Sequence, residues 1–184
     1  MKRRTLLTTL AGAPCLLPLP AGAQRAPLYD MRELVSDMAP VDLAPLSLTT
    51  LEGETEPFTV YRGNLVILNI WATWCPPCIW ELPSLGRLAD ALGDRGLRVI
   101  AASIDGDGIE AVRTFLTRQP VEGPLFRHMG ADGQAMFPVI GSLPVTFIVL
   151  PDLRAVARVD QPIQWDTPEV RRRVAGWLDD HVAG

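Results

Sequence analysis

Cysteine and histidine are scarce in this chain, which has three cysteines and two histidines in 184 residues. A structural zinc site needs four ligands, and the spacing of His128 and His181 matches no zinc finger. The run 105–108 (DGDG) hints at calcium but lacks the remaining spacing of a twelve-residue calcium loop, so a plain loop is favoured. Basic residues are also in the minority, 17 against 21 acidic ones. The net charge of −4 argues against nucleic acid or an anionic lipid surface as a partner.

Charge is missing from residues 5–23, which follow Lys2, Arg3 and Arg4. A basic start, an uncharged stretch and the small residues of 21–23 (AGA) are typical of an export signal with its cleavage site. Three prolines in the stretch argue against a continuous membrane helix. We therefore expect residues 1–23 to be a cleaved signal, with a retained membrane anchor as the alternative. The two arginines leave the twin-arginine route open beside the general export route.

Removal of this leader changes both the cysteine count and the charge. Cys15 would leave with it, so that two cysteines remain. Loss of three basic residues would leave 14 basic against 21 acidic side chains, a net charge of −7. The predicted location is periplasmic or otherwise extracytoplasmic, where the environment is oxidising and a nearby cysteine pair forms a disulfide unless something reduces it.

Beyond the leader, we divide the chain into a proline-containing lead-in at 24–45 and one domain at 46–184. The domain alternates between strand and helix patterns, which predicts a central sheet with helices on both faces. Leu65–Trp71 is a continuous apolar run, as expected of a buried central strand. The other predicted elements are a hairpin at 46–50 and 57–61, helices at 76–92, 109–119, 131–137 and 168–182, and strands at 97–104, 125–128, 145–150 and 155–159.

The most informative feature is the pair Cys75 and Cys78, which two prolines separate. The pair stands between the apolar strand and a helix pattern that begins at Pro76. Its first sulfur is therefore expected at a helix N-terminus, where amide groups and the helix dipole stabilise a thiolate. Such a dithiol suits electron exchange with other disulfides. The alternatives are a permanent structural disulfide, which usually closes a longer loop, or half of a zinc site.

Three motifs, in this order, make the chain resemble the thioredoxin fold and, within it, the TlpA-like, ResA-like and cytochrome-c-maturation group of exported thiol-disulfide oxidoreductases. They are 71–78 (WATWCPPC), 81–83 (ELP) and 141–147 (GSLPVTF), and the resemblance covers roughly residues 45–182. It implies an α/β thioredoxin fold with a central mixed sheet, an N-terminal hairpin and a short central insert.

Cys75 is the expected attacking thiol, because it lies on the N-terminal side of the pair. Cys78, one turn into the helix, is the expected resolving thiol that releases the mixed disulfide. Pro76 and Pro77 have no N–H, which leaves Cys78 as the nearest amide donor to the first sulfur. We therefore predict a less stabilised thiolate, and a more reducing pair, than in strongly oxidising relatives. No cofactor is expected beyond the redox-active disulfide.

The resemblance also implies a substrate-binding site beside the cysteines. Pro144 corresponds to the proline that has a cis peptide bond in the family, and the backbone at Leu143 then docks an extended substrate segment by strand-like pairing. Trp74 and Pro76 are expected to frame the same site. The alternative for Pro144 is a plain turn proline before a strand.

Two polar residues near the cysteines are candidates for proton handling. Glu81 follows Cys78 by three residues, and ResA-like proteins have a glutamate at this spot implicated in proton transfer. A partly buried carboxyl group there would have a raised pKa and could exchange a proton with Cys78. The alternative is an exposed first-turn acid favoured by the helix dipole. Asn69 stands where cytosolic thioredoxins carry a buried aspartate, and it cannot transfer a proton.

These features predict an exported reductant of client protein disulfides. The chain is too short between Ile104 and Pro144 for the helical insertion of DsbA-type oxidants, and a monomer is expected. The resemblance implies apocytochrome c or copper-site cysteines as clients and a membrane thiol donor of the DsbD or CcdA type. The alternative is a Cu(I)-delivery protein of the same fold. Related copper chaperones use a cysteine pair and a histidine, and the spacing of the pair and the position of His128 do not favour that ligand set here.

Overall fold

The structure is a computed structural model that describes residues 34–136 and 141–182. The predicted export signal at 1–23 and the first part of the lead-in lie outside the described residues. Across these two ranges, no helix combines the length and the apolar character needed to cross a membrane.

The described residues form one sheet of eight strands together with four α-helices. The strands are β1 (Ser36–Asp42), β2 (Ser47–Thr49), β3 (Thr55–Pro57), β4 (Leu65–Trp71), β5 (Leu97–Ser103), β6 (Leu125–Met129), β7 (Val145–Val149) and β8 (Arg154–Val159). The helices are α1 (Pro76–Leu92), α2 (Ile109–Arg118), α3 (Ala131–Met136) and α4 (Pro168–His181), and 3₁₀ turns cover Phe58–Tyr61 and Gly93–Arg95. The predicted helices and the central strand are confirmed, with ends that differ by no more than about one residue.

The strand order is β1-β8-β7-β4-β5-β6-β2-β3. The pairs β4–β5 and β5–β6 are parallel, whereas β4 pairs with β7 in the antiparallel sense. Each parallel pair is joined through a helix, α1 for the first and α2 for the second, as parallel pairing requires. Strand β4 is central, and all seven of its residues are buried.

The N-terminal region differs from the prediction in two places. The hairpin exists, but its second strand is Thr55–Pro57, and Phe58–Tyr61 instead forms a 3₁₀ turn. The predicted lead-in at 24–45 contains β1, which pairs with β8 at the edge of the sheet. The sheet therefore begins ten residues before the predicted domain start at 46. An exposed edge strand that contains Pro40 and a bulge carries little periodic signal.

Two apolar clusters lie on opposite faces of the sheet, because successive residues of β4 point to opposite sides. Leu65 and Ile67 belong to the cluster that contains side chains of α1, α2 and α4. Val66 and Leu68 belong to the cluster that contains the 3₁₀ turn Phe58–Tyr61 and the β1–β2 connection. The α/β class is as predicted. In the part of the chain that is described, the three longer helices share one face, and the first 3₁₀ turn covers the other.

Candidate active site

Cys75 and Cys78 form a disulfide at the N-terminus of α1, with their Cα atoms 5.3 Å apart. Cys75 is the N-cap residue, in extended backbone conformation, so that the chain leaves β4, turns and enters the helix at this sulfur. Cys75 is 5% exposed, whereas Cys78 is fully buried. Of the two cysteines, the N-cap residue Cys75 is therefore the more exposed one.

The two prolines leave Cys75 with one amide partner from the first turn of α1. Pro76 and Pro77 occupy the first two helical positions, and neither has an N–H to donate. The N–H of Cys78 donates to Cys75 Sγ at 3.4 Å. The predicted donor is thus the observed one, and the first turn of the helix contains no acidic side chain.

A groove of about 440 Å³ opens beside the disulfide. Its lining residues carry no charged side chain: Trp74, Cys75, Pro76, Pro77, Ile104, Gly141, Ser142 and Leu143. The Leu143–Pro144 peptide bond is cis, as predicted, and Pro144 is buried directly before β7. Trp74 is 66% exposed at the rim. The groove therefore brings together the first cysteine, the residues expected to frame it and the backbone expected to dock a substrate.

Glu81 is fully buried on α1 and accepts hydrogen bonds at both carboxylate oxygens. Its Oε1 accepts from Asn69 Nδ2 at 2.6 Å, and its Oε2 accepts from the Ile163 N–H and from Trp165 Nε1, each at 3.2 Å. Burial raises the pKa of Glu81 to about 7, against the hydrogen bonds from Ile163, Asn69 and Trp165, which lower it. The alternative of an exposed first-turn acid is therefore wrong.

Asn69 connects Glu81 to the strand that follows the cis proline. Its Nδ2 also donates to Thr146 Oγ1 at 2.9 Å, while its buried Oδ1 has no partner within the described residues. The side chains of Asn69 on β4, Glu81 on α1 and Thr146 on β7 thus form one buried polar network. An amide can reverse the positions of its oxygen and nitrogen, so this network can accommodate Glu81 in either protonation state.

The turn before Cys75 is held by the carboxylate of Asp105, which lies in the run where the sequence predicts a plain loop. Asp105 is 4% exposed and accepts hydrogen bonds from the Thr73 N–H, the Thr73 hydroxyl and the Ser103 hydroxyl. His128 lies next to this loop, with Nε2 3.0 Å from the Asp105 carbonyl oxygen. In 34–136 and 141–182, no group of three or more His, Cys, Asp or Glu side chains could hold a metal ion.

The model of the AhpC/TSA family matches residues 35–156, which is most of the chain. The chain belongs to the AhpC/TSA family. It is 30% identical over 112 residues to the thiol-disulfide oxidoreductase ResA of Bacillus thuringiensis subsp. konkukian, covering 61% of this chain and 64% of that one. It is 26% identical over 155 residues to ResA of Oceanobacillus iheyensis, covering 84% and 70%.

Two solved structures have a fold similar to that of this chain. A putative thiol:disulfide interchange protein DsbE from Chlorobium tepidum superposes with a TM-score of 0.65 at 20% identity, covering 77% of this chain and 99% of that one. A thioredoxin family protein from Chlorobium tepidum TLS has a TM-score of 0.61 at 18% identity, covering 80% and 99%. The predicted thioredoxin fold and the predicted resemblance to the ResA-like group are confirmed.

The sequence indicates Cys75, Cys78 and Glu81 as candidate site residues, but it does not indicate three further residues that contact them or the turn before Cys75. The sequence predicts a plain loop at 105–108 and gives no role to Asp105 or Trp165. Ile163 received no role. Asp105 follows β5, next to the end of the parallel strand β4, which is where the functional groups of parallel sheets gather. That position was a usable signal, whereas nothing in the sequence linked Ile163 or Trp165 to Glu81.

Proposed function

We propose that the protein is a thiol-disulfide oxidoreductase that reduces disulfides in client proteins through Cys75 and Cys78. The observation that carries this proposal is the disulfide at the start of α1, whose first sulfur lines an uncharged groove beside the cis Leu143–Pro144 bond. The names of the ResA relatives support it. The match spans less than two thirds of the first ResA protein, so the activity of the whole protein is part of the proposal.

The exchange takes place in two balanced steps. In the dithiol form, Cys75 loses its proton to solvent, and its thiolate attacks one sulfur of the client disulfide. The client S–S bond breaks, its electron pair leaves on the second client sulfur, and a mixed disulfide joins Cys75 to the client. Cys78 then attacks the Cys75 sulfur and releases the first client thiol. The client gains two electrons and two protons, and the protein returns to the disulfide form described here.

Glu81 is the proposed proton acceptor for the second step. Cys78 must lose a proton before it attacks, and it is fully buried. Glu81 lies three residues further along α1, on the same face and also buried. A carboxyl group with a pKa of about 7 is divided between its two protonation states at neutral pH, so it can take the Cys78 proton and return it when the disulfide is reduced again.

The first turn of α1 supports the reducing direction. A thiolate at Cys75 receives one backbone hydrogen bond from the first turn of α1, donated by the Cys78 N–H. The two residues between the cysteines are prolines and have no N–H to donate. A less stabilised thiolate makes the dithiol form less stable relative to the disulfide, which lowers the reduction potential. A pair of this kind donates electrons to a client and needs a donor that restores its thiols. A membrane thiol donor of the DsbD or CcdA type is proposed for that role.

The proposed client carries a cysteine pair in an extended, uncharged segment. None of the described residues that line the groove is charged, and the Leu143 backbone at its wall suits strand-like pairing with such a segment. The haem-binding segment of apocytochrome c, Cys-x-x-Cys-His, has a cysteine pair of this type. Export of the chain, as residues 1–23 suggest, would place the protein with such clients outside the cytoplasm.

A trapping experiment tests the proposal with a defined probe. The reduced Cys78→Ala protein is mixed with a peptide that carries an oxidised Cys-x-x-Cys-His segment, and the products are separated without reductant. We expect a stable mixed disulfide at Cys75 that dithiothreitol releases. The Cys75→Ala protein is the matched control and should form none. Equal trapping by both variants, or none by Cys78→Ala while the peptide stays oxidised, would contradict the proposal.

A further inference from the structure

The turn that carries the attacking cysteine has little packing of its own. Cys75 N–H donates to the Ala72 carbonyl oxygen at 3.1 Å, which closes a turn with Thr73 and Trp74 at its centre. Thr73 is half-buried and Trp74 is two-thirds exposed. Apolar burial therefore cannot fix the central residues of this turn, although Trp74 and Cys75 both line the groove.

The Asp105 carboxylate fixes this turn instead. Oδ2 accepts from the Thr73 N–H at 3.0 Å, and Oδ1 accepts from the Thr73 hydroxyl at 2.7 Å. Oδ2 also accepts from the Ser103 hydroxyl at 2.5 Å. Hydrogen bonds to an ionised, buried carboxylate are stronger than those between neutral groups, and their loss leaves a buried charge without partners. Thr73 is thus held by both its backbone and its side chain.

Asp105 is itself held on the sheet. Its N–H donates to the Ser103 hydroxyl at 3.0 Å, and its carbonyl oxygen accepts from the Gly108 N–H at 3.0 Å. The His128 Nε2 lies 3.0 Å from the same carbonyl oxygen. The preceding Ile104 N–H donates to the Trp71 carbonyl oxygen at 3.0 Å, where β4 ends. The carboxylate therefore joins the carboxyl ends of the central strands β4 and β5 to the turn.

We propose that Asp105 is a positioning residue for thiol exchange, which acts through Thr73 to hold Trp74 and Cys75 in the geometry that an extended client segment requires. This inference rests on the proposed function, because it concerns the same groove and the same sulfur. Asp105 does not touch the reacting atoms. Its effect is on the alignment of the Cys75 sulfur with a disulfide that is already docked against the groove.

Two disulfide probes distinguish the alignment of the Cys75 sulfur with a docked substrate from the intrinsic reactivity of its thiolate. A short uncharged peptide that carries one cysteine as its thionitrobenzoate mixed disulfide has to dock in the groove. The free aromatic disulfide 5,5′-dithiobis(2-nitrobenzoate) does not. With either probe, the Cys75 thiolate attacks a probe sulfur, an S–S bond forms to Cys75, and coloured thionitrobenzoate leaves with the electron pair. The Cys78→Ala background keeps the reaction at this one step.

In this background, we expect Asp105→Asn to slow the reaction of Cys75 with the peptide about tenfold, and its reaction with the free aromatic disulfide far less. A displacement of the sulfur by a fraction of an ångström lowers the rate only when the reactant is docked in a fixed position. Asp107→Asn is the matched control. It lies in the same loop, removes the same charge and is exposed. It should leave both rates as they are in the Cys78→Ala parent.

Thr73 supplies the second variant, since it is half-buried and its substitution does not leave a buried charge unpaired. Thr73→Val removes the hydroxyl donor and should reproduce the selective slowing in part, whereas Thr73→Ser keeps a hydroxyl and should recover most of the peptide rate. The combined Asp105→Asn, Thr73→Val protein should be no slower than Asp105→Asn alone.

The outcomes separate this inference from the proposed function. Equal slowing of both probes by Asp105→Asn, additive effects of the two substitutions, or a Thr73→Ser protein as slow as Thr73→Val would overturn the inference. If Asp105→Asn does not fold, the comparison of Thr73→Val with Thr73→Ser decides it. If the Cys78→Ala parent itself reacts with neither probe, the proposed function fails, and the positioning role fails with it; selective failure of the Asp105 and Thr73 variants overturns the positioning role alone.

Discussion

The Asn69 amide donates a 2.6 Å hydrogen bond to the Glu81 carboxylate across the interface between β4 and α1. Both residues are fully buried, and neither is among the residues that line the groove beside the Cys75–Cys78 disulfide. An amide can face a carboxylate or a protonated carboxyl group, whereas a second acid at position 69 would place two carboxyl groups in direct contact. The asparagine therefore leaves Glu81 as the single titrating group of this buried network.

Glu81→Gln should remove a pH dependence of stability. The folded-state pKa of Glu81 is about 7 and lies above its ordinary value of 4.5, so the folded protein binds this proton more tightly than the unfolded chain. The contribution of Glu81 to the free energy of unfolding is greatest below pH 4.5. It falls by about 3 kcal/mol between pH 4.5 and 7 and stays constant at higher pH. Urea unfolding of the oxidised protein at several pH values measures the decline.

The comparison with Glu81→Gln isolates this group from others that titrate. The variant should lose the decline between pH 4.5 and 7, and Asp90→Asn, an exposed change on the same helix, should keep it. An identical pH dependence in wild-type protein and Glu81→Gln would show that the buried carboxyl group does not titrate in this range.

Trp165→Phe should raise the pKa of Glu81 above 7. The indole N–H is one of two donors to Oε2, at 3.2 Å, and a hydrogen bond to the ionised form lowers a carboxyl pKa. Its loss should tighten proton binding by about tenfold, since one hydrogen bond to a charged group is worth more than 1 kcal/mol. The carboxyl signal of Glu81, followed by NMR against pH, measures this. Trp80→Phe, at a half-exposed position on α1, should not move it.

Pro77→Ala should make the cysteine pair more oxidising. The change restores an N–H at the second position of α1, where an N-cap side chain commonly finds a donor. One more hydrogen bond to the Cys75 thiolate should raise the reduction potential by about 30 mV. Pro83→Ala is the control, because Pro83 is an exposed proline further along the same helix. An unchanged potential in Pro77→Ala would mean that the prolines do not set it through missing donors.

Gly86→Ala should destabilise the fold, because α1 approaches the segment before β6 closely at this point. A Cβ at position 86 would lie 2.1 Å from the Glu122 carbonyl oxygen. Backbone would have to move, at a cost of about 1–3 kcal/mol. Gly176→Ala on α4 meets nothing within 4 Å and should instead stabilise the protein by about 0.5–1 kcal/mol. Denaturant unfolding of the wild-type protein and the two variants gives both changes in the free energy of unfolding. An unchanged free energy in Gly86→Ala would show that α1 and the segment before β6 do not pack tightly at this point.

The sequence alone predicted those structural features that are encoded by a local pattern or motif. The run Leu65–Trp71 predicted the buried central strand, because a strand covered on both faces has no polar side. The cysteine motif predicted the start of α1, and the motif at 141–147 predicted the cis bond before Pro144. Each of these features is encoded by residues that are neighbours in the chain.

The remaining features depend on residues that only the folded chain brings together. Strand β1 is defined by pairing with β8, more than a hundred residues later, and its own side chains are mostly exposed. Glu81 meets the Ile163 amide across 82 residues, and Asp105 meets Thr73 across 32. Polar contacts at such distances leave no periodicity in the sequence, so the residue types could be noted but their partners could not.

The reduction potential of the Cys75–Cys78 pair tests the central claim most directly. Wild-type protein is equilibrated with mixtures of reduced and oxidised glutathione, its thiols are alkylated, and the fraction of dithiol form is measured by mass. We expect one reversible two-electron transition between about −200 and −270 mV, the range from glutaredoxins to thioredoxin. A transition near −120 mV, or a disulfide that no glutathione mixture opens reversibly, would contradict the assignment of this pair as a reductant.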